Sequence, residues 1–176
     1  MYTEIRDSIL DGHLVFFEPS TFIGKLIPMI TGGKVSHCGI AVWMGDGRDV
    51  HRLMLLEGFW GGCRLVNMSS YAHRKFVALD VGLVWNSVED YALDKTGVVH
   101  YSATDFVWIW LRERLAGIGL RSLAKLVPNA PGEVCSEVVA DILIKSGQFH
   151  WITERLVSPS ALLRSVQGYI KTQVRN

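Results

Sequence analysis

The chain lacks several features that would assign it to a special class of protein. Its 176 residues carry a net charge of only +1, which gives no reason to expect nucleic acid or a strongly anionic partner. No uncharged apolar run approaches the roughly 18 residues of a membrane span. The polar, acidic start Met1–Asp7 has neither the basic nor the apolar region of a signal peptide. We therefore expect cytoplasmic synthesis without a signal peptide and no transmembrane segment.

Cysteine is scarce, and its spacing suits neither of its two commonest structural uses. The three cysteines, Cys38, Cys63 and Cys135, form no CxxC pair, and their odd number does not suggest a disulfide framework. Their spacing to the six histidines does not match a zinc site either. We predict neither a metal ion nor another cofactor.

The chain has no repeats and no low-complexity linker, and its length fits one domain over residues 1–176. Short apolar segments separated by glycine-rich turns predict the strands His13–Phe17, Ser36–Met44, Val50–Glu57, Cys63–Met68 and Lys75–Val81. Helical periodicity predicts Ser87–Asp94, Thr104–Leu115, Leu120–Leu126, Glu133–Lys145 and Pro159–Ser165. Because the strands precede the helices instead of alternating with them, an α+β fold is favoured.

The segment that begins at Pro131–Gly132 is typical of a loop leading into an amphipathic helix. Glu137, Asp141 and Lys145 recur every fourth residue and predict its solvent-exposed stripe. Cys135 then lies in the first turn, where unpaired N–H groups and the helix dipole stabilise a thiolate. Such a site suits a nucleophilic cysteine. A buried structural thiol is the alternative.

His37 and Glu57 are predicted to meet across a β-hairpin. If the turn is centred on Gly47, Trp43 lies opposite His51, and His37 lies opposite Glu57. The Cβ atoms of such partners are roughly 4.5–5.5 Å apart, so a carboxylate can bond an imidazole. A shift of one residue would put the two side chains on opposite faces.

These residues form one candidate catalytic set. Cys135 would attack a carbonyl, His37 would take its proton, and Glu57 would orient and charge the imidazole. Taken alone, His37 also fits a strand histidine satisfied by a neighbour, and Glu57 fits a solvent-exposed strand end. We expect the helix of Cys135 to pack on the face that carries His37, beside Gly39, with Cys38 turned away into the core.

The order of these motifs resembles the circularly permuted, papain-like branch of the NlpC-type cysteine peptidase superfamily, which includes lecithin retinol acyltransferase-like proteins. Ser36–Ala41 is similar to the family's histidine strand, and Val134–Val139 is similar to its nucleophile helix. Weaker similarities are found in Asp11–Phe17, Leu56–Gly58, Gly62–Leu65, Ser70–Tyr71 and Ser158–Leu162. The chain departs from the pattern at His13, where the family has an aspartate, and at Val134, where it has an aromatic residue.

The resemblance implies a permuted papain-like fold, in which an antiparallel sheet or small barrel packs against helices. It assigns the catalytic roles to Cys135, His37 and Glu57, and it implies that Tyr101 lines the substrate site. A helical insertion at about 105–129 is longer than a minimal family member requires. The insertion is apolar and basic enough to contact a membrane or an apolar substrate, but we interpret it as a core helix followed by an amphipathic surface helix.

Three functions remain open, and we favour the first. A cysteine hydrolase would cleave an amide bond through a thioacyl-enzyme, and the resemblance points to a peptide bond of bacterial peptidoglycan. An acyltransferase or a lipid or thioester hydrolase would use the same residues. A non-catalytic structural component, for instance of a phage tail, would use the scaffold alone. The expected lack of a signal peptide fits a wall enzyme carried in a phage particle as well as a cytoplasmic protein.

Overall fold

Strands dominate the first half of the chain and helices the second. The computed structural model describes residues 2–20, 33–45, 51–59, 62–97, 115, 119, 135–149, 152 and 158–173. The strands are β1 (Leu14–Phe17), β2 (His37–Gly45), β3 (His51–Phe59), β4 (Gly62–Asn67) and β5 (Phe76–Leu79). The α-helices of this part are α1 (Tyr2–Ile5), α2 (Glu89–Asp94), α3 (Cys135–Lys145) and α4 (Pro159–Gln173). Single 3₁₀ turns lie at Arg6–Ser8, Met68–Tyr71 and Trp85–Ser87.

The five strands form one antiparallel sheet in the order β4-β3-β2-β1-β5. Each predicted strand is confirmed, with ends that differ by one or two residues. Residues of β1 are buried at every position because both faces of the sheet are covered. The α+β class is therefore confirmed.

The register of the β2–β3 hairpin differs from the predicted one. Trp43 pairs with Leu53, and Gly45 pairs with His51. The predicted pairing of Trp43 with His51, and of His37 with Glu57, is wrong by two positions. Because side chains alternate with a period of two, this shift leaves His37 and Glu57 on the same face of the sheet.

Each face of the sheet carries its own hydrophobic layer. The layer that includes α3 contains Leu14, Phe16, Cys38, Ile40, Leu56, Val138, Val139 and Ile142. The opposite layer contains Tyr2, Val15, Phe17, Ala41, Leu53, Leu55 and Met68. Cys38 is fully buried and faces away from His37, as predicted. The predicted face for α3 is wrong, because this helix packs on the side of Cys38 and not on the side of His37.

The helix α3 is more deeply buried than its charge pattern predicts. Glu137 and Asp141 are each only 5% exposed, so of the predicted solvent stripe only Lys145 faces solvent. Asp141 accepts a hydrogen bond of 2.5 Å from the hydroxyl of Tyr91, and Lys95 Nζ lies 2.7 Å from the same carboxylate. These partners offset the desolvation of the carboxylate. Charges spaced four residues apart therefore include two buried ones in α3, and Asp141 pairs with the region of α2.

The helix α4 continues well beyond its predicted end at Ser165, as far as Gln173. Near its start, the Ser160 hydroxyl donates a 2.9 Å hydrogen bond to the carbonyl of Val35, which ties the helix to the segment that enters β2. The predicted helices Thr104–Leu115 and Leu120–Leu126 belong to the insertion at about 105–129. Apart from residues 115 and 119, that insertion lies outside the described residues.

Candidate active site

The candidate site lies where the pairing of the two central strands stops. Among the described residues, the β2–β3 ladder ends at Ile40–Leu56. Beyond that point, His37–Gly39 pair with β1, and Glu57–Phe59 pair with β4. The open end between the two strands lets side chains on opposite faces of the sheet approach one another.

His37 and Glu57 lie side by side on adjacent strands, as predicted. The Nε2 atom of His37 is 2.5 Å from Oε2 of Glu57. In the observed register the two residues are diagonal neighbours, a spacing that long side chains still bridge. The rings of Phe17 and Tyr71 flank the imidazole, with centroids 5.8 and 6.3 Å away. The imidazole side chain is 14% exposed, so the ring is largely shielded from water.

Glu57 is fully buried, so the alternative of a solvent-exposed strand end is wrong. Arg64 donates to Oε1 from Nε at 3.0 Å and from Nη2 at 2.8 Å. The hydroxyl of Tyr71 lies 2.8 and 2.9 Å from the two carboxylate oxygens. Burial raises the pKa of Glu57, but the bonds from His37, Tyr71 and Arg64 outweigh it and lower the pKa below its ordinary value. The carboxylate is therefore charged at neutral pH.

Arg64 and Tyr71 are site residues that were not predicted. Arg64 is the direct cross-strand partner of Glu57 in the β3–β4 pair. The sequence does hold a signal for it, because Glu57 and Arg64 stand equally far, in sequence, on either side of the point between residues 60 and 61. Tyr71 comes from the 3₁₀ turn that follows β4, where no strand periodicity could place it.

Cys135 is the first residue of α3, and its side chain is buried. Its backbone rests against Gly58 of β3. A Cβ atom at Gly58 would lie 2.9 Å from Cys135 Cα and 3.1 Å from its N, so a larger residue there would displace the helix. Gly39 was the predicted contact for this helix, but a Cβ there would meet the Leu56 carbonyl oxygen at 2.6 Å. The glycine that admits the helix is therefore Gly58.

The electrostatics of the site favour a thiolate beside an imidazolium. A hydrogen bond from Cys38 lowers the pKa of Cys135 most; burial raises it, and His37 lowers it again, so the pKa lies well below that of an ordinary thiol. Burial lowers the pKa of His37, but Cys135 and Glu57 outweigh burial and raise it to about 9. These shifts favour a negative sulfur beside a positive ring, which is the reactive state of a cysteine nucleophile.

Tyr101, predicted to line the site, lies outside the described residues. Within the described ranges, no group of three or more His, Cys, Asp or Glu side chains is arranged to hold a metal ion. A search of the same ranges finds no helix with the length and apolar character to cross a membrane.

No protein-family model matches the chain, and a search of curated proteins found no match. The permuted papain-like fold accordingly stays a prediction, whereas the antiparallel five-stranded sheet and its helices are observed. Conclusions about function depend on the geometry of Cys135, His37 and Glu57.

Proposed function

We propose that the protein is a cysteine hydrolase in which Cys135 is the nucleophile, His37 the general acid and base, and Glu57 the residue that orients the histidine. One observation carries this proposal. At the open end of the sheet, the buried thiol of Cys135 interacts with the imidazole of His37, which in turn interacts with the buried carboxylate of Glu57. Burying three titratable groups is unfavourable unless each is paired. A cluster with such shifted pKa values is characteristic of a reactive site.

Glu57 determines which ring nitrogen acts. Oε2 of Glu57 lies 2.5 Å from Nε2 of His37 and is hydrogen-bonded to it. We therefore infer that Nδ1 is the ring nitrogen directed toward Cys135. The carboxylate also stabilises the positive ring, and the Arg64 fork and the Tyr71 hydroxyl hold that carboxylate in place. The base is thus oriented by a group that is itself fixed by two further side chains.

The chemical step follows from these positions. The Cys135 thiolate attacks the carbonyl carbon of an amide, and the His37 imidazolium protonates the departing amine as the C–N bond breaks. His37, now neutral, takes a proton from water, and the resulting hydroxide attacks the thioacyl carbon. The carboxylic acid product leaves, and the thiolate and imidazolium are restored. The N–H of Cys135 at the helix start is the donor we assign to the oxyanion.

The substrate class comes from the resemblance to NlpC-type peptidases, which points to the peptide bonds of bacterial peptidoglycan. The net charge of only +1 gives no reason to expect a polyanionic substrate instead.

Purified peptidoglycan tests this function. We expect the parent protein to release soluble peptide fragments with new amino termini, detected by mass spectrometry. Cys135→Ala should release none above background while keeping its circular dichroism spectrum, because the nucleophile is lost and the fold is not. The matched control is Cys63→Ala, which removes a buried thiol from the same hydrophobic layer and should keep the parental activity apart from a small packing loss. Fragment release by Cys135→Ala at the parental rate would sink the mechanism.

A further inference from the structure

The three cysteines converge on one glycine of β3. Gly58 pairs with Cys63 of β4, and the backbone of Cys135 rests against it. Extending the β2–β3 register by two residues from Ile40–Leu56 puts Cys38 opposite Gly58. Cys38 and Cys135 share one hydrophobic layer, and none of the three cysteines forms a disulfide.

The backbone N–H of Cys38 points toward the side of β2 where the β2–β3 ladder has ended. The N–H of Ala41 bonds to the His13 carbonyl on the β1 side, at 2.9 Å. Because backbone groups alternate along a strand, the N–H of Cys38 points to the β3 side, where the ladder has already ended. Cys135 occupies that side, and its sulfur accepts a hydrogen bond from the Cys38 backbone.

We propose that Cys38 is a positioning residue for the nucleophile, whose S–H donates a hydrogen bond to the Cys135 sulfur and holds it as a thiolate facing His37. This inference rests on the proposed function and deepens it. Cys38 is fully buried one residue from the base, so its thiol has no access to bulk water as an alternative partner. Two adjacent thiols then share one negative charge, with the proton on Cys38.

The pKa shifts of the two cysteines agree with a proton on Cys38 and a negative charge on Cys135. Burial, together with the hydrogen bond and negative charge of Cys135 and the charge of Glu57, raises the pKa of Cys38 well above its ordinary value, so it stays a donor. Among the described residues, the charged groups that act on the two sulfurs include His37 on β2, Glu57 on β3 and Arg74 before β5. Glu137 is a buried acid of α3 itself. Substitution of Cys38 changes none of these groups.

Alkylation of Cys135 by iodoacetamide tests the inference without a substrate. The rate at each pH is read from the mass of the Cys135 peptide, and thermal melts check the fold of each variant. A hydrogen bond to a charged group is worth at least about one pKa unit, so Cys38→Ala should react about tenfold more slowly at mildly acidic pH. Cys38→Val, which fills the space but lacks the donor, should behave the same way and keeps the test valid if the alanine variant unfolds.

Two controls separate hydrogen bonding from packing. Cys38→Ser retains a donor and should keep the parental pH profile within a few-fold, while Cys63→Ala should leave the profile unchanged. Parental rates in Cys38→Ala and Cys38→Val would overturn the inference, as would a serine variant as slow as alanine. If Cys135 of the parent reacts like an ordinary thiol at every pH, the proposed function fails as well. A parent that is reactive at acidic pH, with unchanged Cys38 variants, would contradict only the role of Cys38.

Discussion

Replacing Glu57 with Gln removes one charge from the centre of the site while preserving its shape. In the parent, every partner of the carboxylate donates to it: His37, Arg64 and Tyr71. An amide has one acceptor oxygen and one donor NH₂ group. Whichever way the amide turns, the NH₂ group faces either the Arg64 fork or Nε2 of His37. Facing His37, it is satisfied only if the ring is neutral.

The structure sets the size of the effect. Removing one partner of a buried ion pair costs about 3–5 kcal/mol. The Arg64 side chain is 43% exposed, so water solvates much of its charge when the carboxylate is lost. The Arg64–Glu57 ion pair therefore contributes about 1 kcal/mol or less to this cost. Since the amide keeps the packing and some of the hydrogen bonds, we expect Glu57→Gln to lower the free energy of unfolding by about 2–4 kcal/mol near neutral pH.

The effect should also depend on pH. The folded state raises the pKa of His37 from 6.5 to about 9, so this group stabilises the fold fully below pH 6.5 and loses that contribution as the pH rises through about 9. The pKa of Glu57 is lowered from 4.5, so its contribution is present above pH 4.5 and is lost as the pH falls through the lowered value. The deficit of Glu57→Gln should therefore be largest between these limits, and it should shrink above pH 9 to the part contributed by Arg64 and Tyr71.

Urea unfolding, followed by the fluorescence of the chain's six tryptophans, measures this deficit. The comparison is between about pH 6 and about pH 9.5, on either side of the His37 titration. Arg64→Met is the matched control, because arginine stays charged over this range and its deficit should not change. An equal deficit for Glu57→Gln at both pH values would refute the idea that its carboxylate stabilises a charged histidine.

Gly58→Ala and Tyr71→Phe probe the opposite faces of the sheet, and Gly168→Ala is the control for the first. Gly58→Ala puts a Cβ 2.9 Å from Cys135 Cα, and we expect at least about tenfold slower fragment release with a stability loss of about 1–3 kcal/mol. Gly168→Ala in α4, where a Cβ would have no neighbour within 4 Å, should keep activity and add about 0.5–1 kcal/mol. Equal activity of the two alanine variants would contradict the role given to Gly58. Tyr71→Phe should cost about 1–2 kcal/mol in urea unfolding but leave Cys135 alkylation within a few-fold of the parent. If Tyr71→Phe lost as much Cys135 reactivity as is expected for Cys38→Ala, Tyr71 would affect the thiolate as well as stability, and this prediction would be wrong.

Apolar runs between glycine turns were enough to predict all five strands. The runs are continuous because side chains alternate between two faces that are both covered, so Leu14–Phe17 and the neighbouring strands carry apolar residues toward two separate layers. The same alternation predicted that His37 and Glu57 share a face. It predicted correctly that Cys38 is buried on the other one.

The exact pairing of β2 with β3 could not be predicted from the sequence, because the geometry of the turn, and not the pattern of the strands, determines it. Gly47 is a plausible turn centre, yet the strands close at Gly45 and His51, one position later. The error does little damage to the candidate site, since an even shift preserves the faces and Glu57 reaches His37 diagonally. An odd shift would have separated them.

Burial of charged residues was the least predictable feature. Glu137 and Asp141 have the spacing of a solvent-exposed stripe, but tertiary partners decide whether such a stripe is covered. For Asp141 those partners are Tyr91 and Lys95, some fifty residues earlier in the chain. No local pattern in α3 carries that information.

Cys135 and His37, the proposed nucleophile and base, approach each other from opposite faces of the sheet, and the early end of the β2–β3 ladder makes this possible. On one face, the start of α3 rests against Gly58, and Cys38 lies in the same hydrophobic layer as Cys135. On the other face, Glu57, with Arg64 and Tyr71, determines where His37 lies. Each half is held by its own contacts, so a substitution on one face should misplace one partner and leave the other in position. A strand pattern specifies which residues each face carries, but it does not specify where hydrogen bonding between two strands stops, and the candidate site depends on that point.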